Sequence, residues 1–114
     1  CLRDYIHVDD LARAHVLALS AVDRTELPFT PINLGTGTGT SVREIIASVA
    51  RVTGRAVPHA VGSRRAGDPP ALVAVPSRSR EVLGFAPEVT AIDEIVETAW
   101  RWREAHPQGY SPWR

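Results

Sequence analysis

Short apolar runs alternate with helix-patterned segments in this sequence, which predicts an α/β fold, or α+β for the chain taken by itself. Three observations carry the prediction. Tyr5, Ile6 and Val8 form a β-branched and aromatic run, followed at once by Asp9 and Asp10, whose side-chain oxygens can accept the free amides of a new helix. Ser41-Val42-Arg43-Glu44 is a capping box, in which hydroxyl and carboxylate each satisfy an amide at a helix start. Gly54 closes one helix-patterned segment as a left-handed cap residue, and a shorter one stops at Gly84.

The first helix places Leu11, Ala14, Ala18 and Val22 at three- and four-residue spacing, so one stripe is expected to face a core. Residues 23–31 are polar and proline-punctuated, and Pro28 and Pro31 forbid a long regular element there. Ile32-Asn33-Leu34 reads as a short strand, and Gly35-Thr36-Gly37-Thr38-Gly39 as the loop leaving it. The second helix carries Val42, Ile45, Ile46, Val49 and Val52 on its apolar face. Val57 to Val61 reads as another short strand, with Pro58 at an edge or at its beginning.

Gly62 to Pro70 is a loop rich in arginine, glycine and proline. Leu72-Val73-Ala74-Val75 is apolar without alternation, as in a buried strand, and a short helix from Ser77 to Leu83 follows. Thr90-Ala91-Ile92-Asp93 is a variant capping box opening the last helix. Its apolar face is Ile92, Ile95, Val96, Ala99 and Trp102, and His106-Pro107 ends it. The expectation is short strands with about four helices, and no boundary divides residues 1–114.

Thirteen basic and thirteen acidic residues cancel among 114, so bulk charge favours neither a nucleic-acid partner nor an acidic membrane surface. Any anion site must be local. No run of about 18 apolar residues offers a membrane span, and no signal peptide is expected. One cysteine, Cys1, excludes an internal disulfide and fits a reducing compartment, hence a cytoplasmic location. A start at Cys1 without any methionine reads as a piece of something longer.

The glycine loop at 35–39 invites a dinucleotide reading, but the fingerprint needs a glycine at its sixth position, where Thr40 stands. It reads better as a tight turn before a capped helix, and no cofactor-binding residue is assigned. Arg64-Arg65-Ala66-Gly67-Asp68 is the strongest chemical candidate. Paired guanidiniums match phosphate oxygens with planar donor forks, Gly67 permits close backbone approach, and a nearby carboxylate can accept from a ribose hydroxyl. Arg3 could converge with Arg64 and Arg65 on the same anion. His7 and His15 read as packing or surface groups, His59 and His106 as isolated, and no metal site is assigned. Trp100 and Trp102 read as core and interface residues.

Four motifs in order carry a resemblance. They are Arg3-Asp4-Tyr5-Ile6-His7-Val8 running on to Asp10-Leu11-Ala12 and Ala14-His15; Asn33-Leu34-Gly35-Thr36-Gly37; Arg64 to Asp68; and Trp100-Arg101-Trp102 with His106-Pro107-Gln108-Gly109-Tyr110. Together they resemble the C-terminal third of UDP-glucose 4-epimerases, extended short-chain dehydrogenase/reductase enzymes of Rossmann type that interconvert UDP-glucose and UDP-galactose on bound NAD. The resemblance implies that residues 1–114 are the substrate-binding portion, and that the N-terminal Rossmann portion, which binds NAD, is absent. It implies that Arg3 and Arg65 take the UDP phosphates, with Arg64 a weaker candidate, and that Asp68 takes the ribose. Leu72 falls where many relatives carry a tyrosine beside the hexose, and Val75 where they commonly have an aspartate able to cap the next helix.

No catalytic residue is expected in this chain. The family's base is a tyrosine followed four residues later by lysine, and the sequence has no lysine; Asp9 and Arg114 follow Tyr5 and Tyr110 at that spacing. The chain alone is therefore expected to be inactive, and to self-associate through surfaces the rest of the enzyme would cover. The full-length enzyme is expected to be a homodimer of galactose metabolism. A nucleotide-sugar dehydratase or decarboxylase of the same superfamily is the near alternative. A non-catalytic nucleotide-binding or interaction module is the alternative of another class.

Overall fold

The computed structural model describes residues 1–22 and 30–110. Its elements are β1 (Leu2–Arg3), α1 (Val8–Val22), β2 (Thr40–Ser41), α2 (Val42–Thr53), β3 (Ala71–Leu72), α3 (Ser77–Leu83) and α4 (Ile92–Ala105). Four helices and a small mixed sheet agree with the expected class. The sheet has the order β2-β1-β3. β1 runs antiparallel to β2, with Leu2 opposite Ser41 and Arg3 opposite Thr40. It runs parallel to β3, with Leu2 opposite Ala71 and Arg3 opposite Leu72.

The predicted strand at Tyr5–Val8 does not form, because the pairing residues lie three positions earlier and Val8 already belongs to α1. Neither Asp9 nor Asp10 caps that helix. The cap is His7, whose Nδ1 accepts from the Asp9 amide at 3.1 Å. An amide can only donate, so Nε2 carries the ring proton and donates to Thr98 Oγ1 at 2.8 Å on α4. Asp10 instead turns inward, with Ala14 and Ala21. The buried stripe is rotated from the expected one, leaving Val22 exposed beside Val16 and Leu19.

Ile32 and Leu34 form no ladder; they pack against the core as partly buried side chains. Residues 57–61 are likewise unpaired, and Val61 is exposed. The predicted buried strand at 72–75 shrinks to Ala71–Leu72, exposed at both positions. It ends there because the Ala74 amide turns away from the ladder to the carboxylate of Asp4.

The capping box of α2 forms as expected: Ser41 Oγ accepts from the Glu44 amide at 3.2 Å, and Glu44 Oε2 accepts from the Ser41 amide at 2.7 Å. Gly54, at φ 67°, closes the helix in the left-handed conformation. The box expected at Thr90–Asp93 does not form. Ala91 occupies the cap position with no oxygen to offer, and Asp93 reaches across to α2. The α3 cap position is Pro76, one residue after the position 75 expected to cap it, and a proline side chain makes no such bond.

The core lies where α1 meets α3. Ala14, Ala21, Leu83 and Phe85 are buried there, flanked by Ile6, Leu17, Ala18, Ile32, Leu34 and Val82. The second helix pair, α2 against α4, stands beside it. The Pro28 expectation and the rest of residues 23–29 lie outside the described residues.

Candidate anion-binding site

The β1–β3 pairing decides which sequence candidates meet. Arg3 lies opposite Leu72 on the parallel ladder, and its guanidinium donates to the carbonyl of Pro69 at 3.2 Å. The Leu2 amide donates to the carbonyl of Pro70 at 2.9 Å, fastening the loop's end to the same strand. On that loop Gly67 takes φ 84°, a conformation that favours glycine. The turn brings Arg65 Nε within 2.9 Å of Asp68 Oδ2, and Arg64 donates to the Asp68 carbonyl at 3.3 Å. A chain of contacts thus runs from Arg3 through Pro69 and Asp68 to Arg64 and Arg65. All five predicted site residues lie on β1, on β3 or on the loop that leads into β3.

Of the three guanidiniums, Arg65 meets the Asp68 carboxylate, while Arg64 and Arg3 bond to the backbone carbonyls of Asp68 and Pro69. The Arg65 side chain is 84% exposed, so its ion pair with Asp68 is screened by water and contributes little to folding. It is free to exchange that partner for an incoming anion. Leu72 is exposed beside Arg3 and offers only an apolar surface. The arrangement gathers guanidinium donors and one carboxylate near one another on the surface.

Sequence reasoning did not single out Asp4. Its Oδ1 accepts from the amide of Thr36 at 2.9 Å and from the Thr36 hydroxyl at 2.7 Å. Its Oδ2 accepts from the amides of Gly37 at 2.9 Å and Ala74 at 3.2 Å. Partial burial opposes ionisation of this carboxyl, but the four donors outweigh it and hold the pKa below its ordinary value. The signal that could have found it is the acid immediately after Arg3, paired with amides from a glycine loop.

Asp4 also occupies the donors of the glycine loop. The amides of Thr36 and Gly37, which a dinucleotide phosphate would need, are already given to its carboxylate. The residues at 35–39 therefore do not fit the pyrophosphate of NAD. Among the described residues no group of three or more His, Cys, Asp or Glu side chains is placed to hold a metal ion. No described helix is long and apolar enough to cross a membrane.

A groove of about 620 Å³ lies away from the arginines, between the start of α1 and α4. Ile6, Val8, Ile95 and Trp102 line it together with His7, Asp9, Thr98 and Tyr110, and no arginine reaches it. At its end Trp102 stacks on His106, centroids 4.9 Å apart, and touches Tyr110, so Trp102 is an exposed surface aromatic rather than core.

No family model matches the chain. Curated relatives do. A UDP-glucose 4-epimerase of Lacticaseibacillus casei is 45% identical over 96% of this chain and 33% of its own length. One of Streptomyces lividans is 46% identical over 96% of the chain and 32% of its own length. The chain is homologous to a portion of UDP-glucose 4-epimerases. It spans about a third of the length of the curated relatives it matches. A crystal structure of a UDP-glucose 4-epimerase superposes with a TM-score of 0.89 at 43% identity, covering 97% of this chain and 33% of that one. The Bifidobacterium longum enzyme, solved in complex with NAD+ and UDP, gives a TM-score of 0.85 at 36% identity over 96% and 32% of the two chains.

Proposed function

We propose that this epimerase-like chain holds the UDP moiety of a UDP-sugar within an NAD-dependent UDP-glucose 4-epimerase of galactose metabolism. Arg3 and Arg65, with Arg64 beside them, contact the diphosphate. Asp68 leaves Arg65 to accept from the ribose, and Leu72 borders the hexose. NAD and the catalytic tyrosine–lysine pair belong to the rest of the longer protein, which acts in the cytoplasm as a homodimer. The observation that carries the reading is the grouping of Arg3, Arg64, Arg65 and Asp68 where β1 meets the loop that leads into β3, in a chain similar to epimerases.

Isothermal calorimetry with UDP tests it. Binding is expected to weaken as salt rises, because exposed arginine–phosphate pairs are screened. Arg65→Ala should weaken it further by about 1–3 kcal/mol, the range for a hydrogen bond to a charged group. Equal affinity for wild type and Arg65→Ala refutes the assignment.

A further inference from the structure

Asp4 touches none of the groups assigned to the ligand, yet it ties together the two strand ends, after Arg3 and after Leu72, that carry two of them. It follows Arg3 directly. Its carboxylate accepts from Thr36 and Gly37 on the glycine loop and from Ala74, two residues beyond Leu72. We propose that Asp4 is the positioning residue of the anion site, clamping the glycine loop and the exit of β3 onto the end of β1 so that Arg3 and Leu72 stay opposite one another. The inference rests on the UDP-binding reading for its ligand and on the hydrogen bonds alone for its mechanics.

Two further features fit a clamp. A Cβ at Gly35 would lie 2.5 Å from both Asp4 Oδ2 and the Ala74 Cβ, so the glycine is there to let carboxylate and strand approach. All of Asp4's partners here are donors, which demands a carboxylate specifically. An asparagine would offer one oxygen and turn an NH2 group toward other donors.

The test compares UDP affinity and its salt dependence in the wild-type chain, Asp4→Asn and Thr36→Val, with Asp10→Asn as a variant destabilised elsewhere. Asp4→Asn should bind UDP about tenfold more weakly, the scale of an effect from a residue that does not touch ligand. Its slope of log affinity against log salt should also be shallower, because a displaced Arg3 no longer meets the phosphate. Thr36→Val, which removes one bond of the clamp, should show the same change to a smaller degree and stands in if Asp4→Asn does not fold. Asp10→Asn should lower the melting temperature and leave affinity and slope unchanged. Wild-type affinity and slope in both clamp variants overturn the proposal.

Amide exchange separates this from the UDP reading. The Leu2 amide, bonded to the Pro70 carbonyl across β1 and β3, should exchange about tenfold faster in Asp4→Asn. If the wild type binds no UDP, the ligand assignment falls, and the clamp then stands or falls on Leu2. Unchanged Leu2 exchange overturns it.

Discussion

Phe85 and Ala14 are fully buried where α1 meets α3, whereas α2 buries only Ser48 completely and α4 buries no described residue. The first helix pair is closed by apolar area, which is non-directional and scales with what leaves water. The second is closed by half-buried aliphatics and a directional seam. There Ser48 Oγ donates to Asp93 Oδ1 at 2.6 Å, and Arg51 Nε donates to Asp93 Oδ2 at 2.9 Å. The first pair has its own polar fastening, but a buried one. Asp10 accepts from Arg13 at 2.7 Å and from the amides of Glu88 and Val89 at 3.0 Å each, tying α1 to the segment between α3 and α4. The difference implies that a lost side chain in the first pair is felt by the whole chain, and one in the second mainly at the seam.

The largest expected effect is that of Phe85→Ala. Removing a ring that is 0% exposed leaves a cavity as well as losing transfer free energy, about 3–5 kcal/mol together. Urea denaturation followed by circular dichroism measures it. A loss below about 1.5 kcal/mol would mean that Ile32, Leu34 and Val82 collapse into the gap, and the contrast between the two pairs would lose its basis.

Asp10→Asn comes next, at about 2–3 kcal/mol, because each oxygen of the buried carboxylate faces donors and an amide cannot accept at both. Burial raises this pKa. The Glu88 amide, the Arg13 guanidinium and the Val89 amide outweigh burial and hold it below the ordinary 3.8. A depressed folded pKa stabilises fully above the unfolded value, and that contribution fades as pH falls through the folded one. The gap between wild type and Asp10→Asn should therefore be constant near neutrality and narrow below about pH 4. A gap that is unchanged at pH 2 would show that shape, not charge, makes the Asp10 contribution.

Asp10 also shows where sequence reading stops. Local chemistry was legible: the Ser41–Glu44 box, the glycine cap at 54, and the bounds of α3 depend on neighbours within four residues. The shared loop of Arg64, Arg65 and Asp68 was legible too, being local; Arg3 was grouped with them as a second basic residue, and Leu72 came from the resemblance. Long-range partners were not legible. An acid at a helix start predicts a cap, and nothing within ten residues says that Asp10 will be claimed by amides at 88 and 89, or Asp93 by Ser48. The strands were misplaced for the same reason. A two-residue strand has almost no pattern of its own, and pairing partners 37, 39 or 69 positions away define it.

Ser48→Ala sharpens the comparison from the other side. The hydroxyl is fully buried but has a single recorded partner, so its loss should cost about 1 kcal/mol, a net hydrogen bond. Hydrogen exchange should rise in α2 and α4 while α1 stays protected, since the seam opens without the core. Uniform loss of protection in all helices would merge the two pairs into one cooperative unit and end the contrast.

The smallest effect belongs to Arg55, just past the end of α2. Its guanidinium carbon sits 4.8 Å from the ring centroid of Trp100 on α4, close enough for a cation–π contact across the seam. At an exposed site such a contact is worth about 0.5–1 kcal/mol, and its attraction to the ring face needs the cation as well as the stem. Arg55→Ala loses both, while Arg55→Gln keeps much of the stem and drops the charge. Comparing the two separates packing from electrostatics, and a double-mutant cycle with Trp100→Leu isolates the pair. A coupling near 0.5 kcal/mol is the expected result. Zero coupling, with Arg55→Gln as stable as wild type, would leave Ser48, Arg51 and Asp93 as the seam's polar fastening and make the second helix pair looser still relative to the first.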